Sequence, residues 1–566
     1  MQPFFTHAVT NQVPPLDDYS LYDTDPVLAE AVAREGALAH VPELREHGAW
    51  LGRAQTLAAG DEANRHPPQL HGYDRGGHRI DRIEFHPAWN QLMSGIAARG
   101  LHNRAWLQPG PGAHVARAAA FLMQGQVEAG TLCPTTMTFA ALPLIAREPA
   151  GAIDFARTWM PRLSAREFDP ADAPITAKSG ALIGMGLTEK QGGSDLRAIT
   201  TRAEPEGTPG RGQPYRLTGH KWFFSVPQAD AHLVLARTDA GLGCFFVPRW
   251  VPDGPRNAVR VRRLKDKLGN RSNASAEVEF EDAWGVMMGE PDRGLALLLE
   301  MASTTRLDCV LGSAALLRQG VVQALHHARH RQAFGASLLS QPLMRALIAD
   351  LALESEAATV LGLRLARAMD ERESPAARAL LRVGTPAAKL WVCKRAVQAL
   401  GECLEVLGGN GYVEESPLAR LYREAPVNSI WEGSGNVMAL DVLRALTREP
   451  DVLEAVQAEL SPARGRDARY DARLDTWMAA ARRCGHGPAS ADLAAADHAP
   501  DPAAARMLAA ELARLWQGAL LLCHAPGAVA EAFVTTRLAG SAGIWGEGGS
   551  DVDAAAVLSR AWPGIC

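Results

Sequence analysis

The chain has 566 residues, 47% of them hydrophobic and 21% charged, with a formal net charge of -5. That length is too great for one core and predicts about three or four domains, while the composition excludes disordered and fibrous classes. The mildly acidic balance excludes a global attraction to polyanions, so any nucleic-acid surface has to be a local patch.

In chain order, the start Met1-Gln2-Pro3-Phe4-Phe5-Thr6-His7 lacks the basic opening and apolar run of a signal peptide. No stretch approaches about 18 uninterrupted apolar residues, so no membrane contact and a cytoplasmic location are expected. Helical spacing runs from about 26 to 160, as in Val27, Leu28, Ala31 and Val32 and again in Val115, Ala118, Ala119 and Leu122. This predicts an N-terminal helical domain over 1–180. Short β-like runs follow, Tyr215-Arg216-Leu217-Thr218, His232-Leu233-Val234-Leu235, Cys244-Phe245-Phe246-Val247 and Ala276-Glu277-Val278-Glu279-Phe280, separated by turn formers. They predict a compact antiparallel β-barrel or sandwich over 181–290. Long helical patterns return at Leu295 to Arg331, Gln341 to Glu371 and Pro386 to Leu407, the last stopped by Gly408-Gly409-Asn410-Gly411. They predict a helix bundle over 291–445. The Ala-rich remainder, 446–566, reads as an appended C-terminal helical domain broken at Ser461-Pro462-Ala463-Arg464-Gly465 and Gly485-His486-Gly487-Pro488, with a loop from Gly540 to Gly549. The eight cysteines, Cys133, Cys244, Cys309, Cys393, Cys403, Cys484, Cys523 and Cys566, form no C-x-x-C pair. That argues against a disulfide framework or a structural zinc site, and most read as buried small hydrophobes.

Two motifs carry chemistry. The segment Met185-Gly186-Leu187-Thr188-Glu189-Lys190-Gln191-Gly192-Gly193-Ser194-Asp195 resembles the Thr-Glu-Pro-x-x-Gly-Ser-Asp loop of the acyl-CoA dehydrogenase superfamily. Ser429-Ile430-Trp431-Glu432-Gly433-Ser434-Gly435-Asn436 resembles that family's aromatic-Glu-Gly-Ser/Thr segment. The order helices, barrel, bundle is that family's α+β multidomain fold, and the resemblance covers roughly residues 80 to 446. The tail and Asn11-Gln12-Val13-Pro14-Pro15-Leu16 narrow it to the AidB-like branch of alkylation-response flavoproteins, as do Gly219 to Gln228, Leu264 to Ser275 and Leu421 to Glu432.

The resemblance implies FAD. A flavin needs hydrogen-bond donors at its pyrimidine edge, a flat packing surface and cationic or amide groups at its pyrophosphate. It places Met185, Leu187, Thr188, Gly193 and Ser194 along the ring and phosphate side, Trp222, Phe224 and Ser225 beside the ring, and Trp431, Gly433, Ser434 and Asn436 around the base. Arg331 and Phe334, within Arg329-His330-Arg331-Gln332-Ala333-Phe334-Gly335, and the pair Gly408 and Gly409 are implied at the pyrophosphate and adenosine end of a flavin held by a neighbouring subunit. An Arg suits that place because its fork pairs with phosphate oxygens. A homo-oligomer, a tetramer, follows from the same resemblance. Taken singly, Gly192-Gly193-Ser194-Asp195 reads as a turn and Trp222-Phe223-Phe224 as strand core.

In that family the Glu at position 432 removes a proton alpha to a thioester while the beta hydride passes to the flavin, giving a trans-2-enoyl product. Such a base needs an apolar setting that raises its proton affinity, and Ile430 and Trp431 suit this. Some relatives carry the base on the long helix before an Arg, here Thr305 before Arg306, and Thr cannot serve. Relatives that bind CoA tightly often carry an Asp where this chain has Ser303, which implies weak acyl-CoA turnover. His326 and His330 stand four apart on a helix but lack H-E-x-x-H logic, and no metal is expected. Ser434 lacks the G-x-S-x-G frame of a nucleophile elbow.

The AidB-like resemblance also implies binding of double-stranded DNA through the tail, with Arg444 and Arg537 as candidate contacts, and protection against alkylation damage. Residues 446–566 hold 11 Arg, no Lys and 15 Asp plus Glu, a net of 11 − 15 = −4, which is unlike a phosphate-binding domain. Arg464, Arg466, Arg469, Arg473, Arg482 and Arg483 cluster, but Asp467, Asp471 and Asp475 are interleaved as local charge pairs would be. The alternative is an ordinary acyl-CoA dehydrogenase acting on a medium or branched acyl chain, with a tail that serves only assembly.

Overall fold

The computed structural model describes residues 6–485, 502–540, 543–548 and 551–563. Most of the N-terminal heptapeptide, the His486-Gly487-Pro488 break, parts of the Gly540 to Gly549 loop and Cys566 lie outside the described residues. The chain divides into two compact units, one of residues 55–309 with 431–434 and one of 1–54, 310–430 and 435–566.

In the first unit a β-hairpin, β1 (Gln69–Tyr73) and β2 (Arg79–Glu84), precedes helices Pro87–Arg99, Ala113–Val127 and Leu132–Ile145. The sequence reading missed this hairpin inside the helical region, although Asp74-Arg75-Gly76-Gly77 is a turn signal. The barrel follows: β3 (Ile183–Gly186), β4 (Arg202–Pro205), β5 (Pro214–Ser225), β6 (Ala231–Thr238), β7 (Gly241–Pro248), β8 (Val259–Leu264) and β9 (Ser275–Met288). Its order is β3-β6-β4-β5-β9-β7, with β8 on β9, and the β6–β7 pairing closes it. Most pairs are antiparallel, but β3 runs parallel to β6 with Met185 opposite Leu233.

Side-chain alternation along β6 explains its continuous apolar run. Val234 and Ala236 join Tyr215, Phe245 and Phe280 in one core. Leu233 and Leu235 face the opposite way, among Leu142, Trp159, Leu298 and Met301. Both faces are buried, each such aliphatic side chain contributing about 1.5–3 kcal/mol.

The second unit is helical. Helix Pro375–Val406 is its axis, packed by Pro342–Asp370, Pro417–Asn428, Gly435–Arg448, Pro450–Leu460 and Ala505–His524. It begins eleven residues before the expected start, because Pro386 lies inside it rather than opening it. The tail therefore shares one packed body with the bundle: Trp516 fits where Gly384 has no side chain, a Cβ there coming within 2.6 Å of its ring, and its Nε1 donates to Glu459 at 3.0 Å. Arg318 ties both chain ends to the bundle, pairing with Asp25 at 3.0 Å and donating to the carbonyls of Ala561 at 2.7 Å and Thr24 at 3.0 Å. Of the cysteines described, six are buried and Cys523 is half-buried, all as free thiols.

Candidate active site

The loop after β3 is built around Glu189. Its carboxylate is fully buried against the Lys221 ammonium at 2.8 Å. It also accepts from Thr200 N at 2.7 Å, Thr200 Oγ1 at 3.0 Å, Thr201 N at 3.1 Å, Thr201 Oγ1 at 2.5 Å and Gln191 Nε2 at 2.7 Å. Burial pushes the Glu189 carboxyl up, but the Lys221 charge and these donors outweigh it and hold the group well below the usual carboxylate range. Burial brings the Lys221 ammonium down to about 8. The pair fastens residues 188–201 to β5, where Trp222 N donates to the Thr188 carbonyl at 2.8 Å. Gly193 has to be glycine, since a Cβ there would stand 2.7 Å from Thr188 Oγ1. Met185 is buried, Leu187, Thr188 and Gly193 are half-buried, and Ser194 is exposed.

Along β5 the three candidates separate. Trp222 is half-buried, with the Lys265 ammonium 3.4 Å from its ring centroid. Phe224 points into the barrel, stacked on His232 at 3.9 Å and packed in the Tyr215 and Phe280 core, so its ring serves the sheet. Ser225 ends the strand beside Val226, a β-branched residue held at φ 55°. That conformation is costly for such a side chain and fixes the turn.

Glu432 occupies the left-handed region at φ 57° and Gly433 follows at φ 107°. The carbonyl of Glu432 accepts from Arg306 Nε at 2.8 Å, so the helix Gly294–His330 holds residue 432 through its backbone. The Thr305 hydroxyl turns back to the Ala302 carbonyl at 3.1 Å. Trp431 packs against the core containing Leu298 and Met301, and its Nε1 is buried with no hydrogen-bond partner among the described residues. Cys133, at the start of helix Leu132–Ile145, is pushed up to about 12 by burial, with Lys267, Asn273 and Ser225 pulling it down and Glu432 pushing it further up. Ser225 and Asn273 thus meet at one thiol from distant segments, and the charges of Lys267 and Glu432 act on it.

In the second unit Arg331 donates to the Asn11 carbonyl, while the Asn11 side chain pairs with both backbone groups of Gln332 at 2.8 Å. Phe334 sits at φ 53° and is 98% exposed. Gly408, at φ 61°, and Gly409 are exposed, with open space where a side chain would be. Ser434 is half-buried, and the Asn436 side-chain oxygen is taken by Arg506 at 2.7 Å. His326 Nε2 is engaged by the Pro14 carbonyl at 2.8 Å.

The arginines read as a DNA surface are largely neutralised. Arg537 is buried at 5% exposure, paired with Asp350 at 2.5 Å and Glu354 at 3.0 Å, which corrects its assignment as a duplex contact. Arg464 pairs with Asp475 at 2.6 Å, Arg469 with Asp467 at 2.6 Å and Glu531 at 2.8 Å, and Arg473 with Glu511. Arg444 is exposed on helix Gly435–Arg448. Arg537→Ala leaves the buried Asp350 without its cation, while Glu354 keeps Arg395 at 2.9 Å, and should cost about 3 kcal/mol; an unchanged thermal midpoint would contradict this placement.

The barrel, the pinned loop and the turn at Glu432, clamped through its backbone carbonyl, define a flavin-dependent acyl-CoA dehydrogenase fold. Residues 11–170 match the family described as the adaptive response protein AidB N-terminal domain, 184–283 the acyl-CoA dehydrogenase middle domain and 292–447 its C-terminal domain. The chain is 51% identical over 470 residues to the AidB protein of Escherichia coli K12, covering 82% of this chain and 85% of that one. It is 29% identical over 492 residues to acyl-CoA dehydrogenase family member 11 of Caenorhabditis elegans, covering 82% and 77%. The crystal structure of Caenorhabditis elegans ACDH-11 in complex with C11-CoA superposes with a TM-score of 0.81 at 26% identity, covering 93% of this chain and 91% of that one. This chain belongs to the AidB-like acyl-CoA dehydrogenase family, whose cofactor is FAD. Among the described residues no helix is long and apolar enough to cross a membrane.

Proposed function

We propose that this chain is an AidB-type flavoprotein in which Glu432 removes the proton alpha to a thioester carbonyl, with slow acyl-CoA turnover, and which binds double-stranded DNA and limits alkylation damage. The observation that carries the first part is the clamped turn: Glu432 at φ 57°, its carbonyl held by Arg306 at 2.8 Å. Within the first unit the residues present fit a flavin ring: the half-buried Thr188 and Trp222 and the Trp431 Nε1, which has no partner among the described residues, are polar groups and a flat face that such a ring would satisfy or cover. When bound, FAD supplies the hydride acceptor. Arg306 fixes the base, Trp431 beside it packs on the Leu298 and Met301 cluster, and Glu432 takes the proton onto its carboxylate. A thioester like that of the C11-CoA complex is the ligand this reading brings to the chain. The exposed Ser303, its hydroxyl turned to the Leu299 carbonyl at 2.9 Å, adds no charge to hold CoA. A homotetramer in the cytoplasm completes the proposal, with Phe334 as a contact between copies.

Identity to AidB and the exposed Arg444 support the DNA part. The second reading, an ordinary acyl-CoA dehydrogenase with a purely structural tail, is favoured by the acids that neutralise Arg464, Arg469, Arg473 and Arg537. Fluorescence anisotropy of a labelled duplex, titrated with FAD-loaded protein at low and near-physiological salt, separates them. Binding that weakens steeply with salt is expected, and weakens further in Arg444→Ala. No binding at low salt leaves the ordinary dehydrogenase.

A further inference from the structure

Four of the chain's 17 histidines, His66, His71, His78 and His86, fall within 21 residues at the β1–β2 hairpin, a density the flavin chemistry does not use. His71, His78 and His66 each face a carboxylate: Glu84 at 3.0 Å, Asp74 at 3.1 Å and Glu62 at 3.2 Å. At the hairpin base a second imidazole joins. Glu62 lies in the last turn of helix Ala54–Arg65, and His66 follows the helix, its N–H donating to the Glu62 carbonyl at 3.1 Å, so that the two side chains project from one face. The Gln69–Glu84 register closes the hairpin and returns the chain so that His86, the cap of helix Pro87–Arg99, lies against His66, the ring centroids 4.7 Å apart. One ligating atom from each of Glu62, His66 and His86 lies within 4.8 Å of the others.

We propose that Glu62, His66 and His86 form a divalent transition-metal site, of zinc or nickel type, that ties helix Ala54–Arg65 to the start of helix Pro87–Arg99. Two imidazoles and one carboxylate are a donor set for borderline divalent ions, with water completing the coordination sphere. Binding asks little rearrangement. His66 is exposed and able to turn, Glu62 is half-buried, and the hydrogen bond given up is the long one, 3.3 Å, from Ala88 N to His86 Nδ1. His86 is half-buried and held by the helix start, which supplies one ligand already in place.

The test is titration of the metal-stripped, FAD-loaded protein with Zn²⁺ in competition with a chromophoric chelator, together with thermal unfolding. One ion per chain at roughly micromolar affinity is expected, with a rise in thermal midpoint. His66→Gln, which removes an exposed ligand without touching a helix cap, should weaken binding about tenfold or more and abolish the rise, and His86→Gln should do the same. His326→Gln, in the chain's other spaced pair, should change neither. No uptake, or uptake unaltered in His66→Gln and lost in His326→Gln, overturns the proposal.

Discussion

Glu432→Gln is expected to slow reduction of the bound flavin by an acyl thioester about 10³-fold while leaving FAD bound and the fold intact. The substitution keeps the shape of the side chain and the backbone bond from Arg306, because that bond ends on the carbonyl of Glu432 rather than on its carboxylate. What it removes is the proton acceptor. Thr305 cannot replace it, with its hydroxyl committed to the Ala302 carbonyl, and the Cys133 thiol nearby is held protonated by burial. Anaerobic mixing with a medium-chain acyl-CoA, followed by bleaching of the flavin, checks this. An unchanged rate would remove Glu432 from the chemistry.

The second large effect falls on the Glu189–Lys221 pair. Breaking a fully buried ion pair from one side leaves an uncompensated charge and costs about 3–5 kcal/mol, so Glu189→Gln should unfold at markedly lower temperature and lose FAD during purification. Lys221→Met should behave likewise. The double variant Glu189→Gln with Lys221→Met removes both charges and should recover much of the stability. Its FAD affinity should stay low, because the amide accepts less strongly from the four Thr200 and Thr201 donors that shape the loop. Thermal unfolding of the apoprotein alongside an FAD titration reads the two quantities separately. Full recovery of FAD affinity would reduce the pair to a purely structural role.

What sequence could reveal and what it could not divide along physical lines. Strands β5, β6, β7 and β9 were legible through their β-like runs, whereas the short β3, β4 and β8 were not, and the long helices were legible because their spacing persists for many turns. Pro386 misled because proline usually opens a helix, yet here the helix continues through it. The hairpin β1–β2 was missed because Gly72 and the polar residues of β2 read as punctuation between helices. At the site, Thr188 and Glu432 stood out through their motifs, whereas Cys133 and Asn273 meet only through tertiary folding. The tail shows the converse failure. Arg469, Arg473 and Arg537 count as density of charge along the chain, but their partners Glu531, Glu511 and Glu354 lie 62, 38 and 183 residues away.

The most direct test of the account is hydrogen exchange at the alpha carbon of an acyl-CoA in D₂O, followed by mass spectrometry with the FAD-loaded protein and with Glu432→Gln. Exchange catalysed by the natural chain and absent in the variant is the predicted result, since it isolates proton removal from every later step. Equal exchange in both, or none in either, would contradict the assignment of Glu432 as the base.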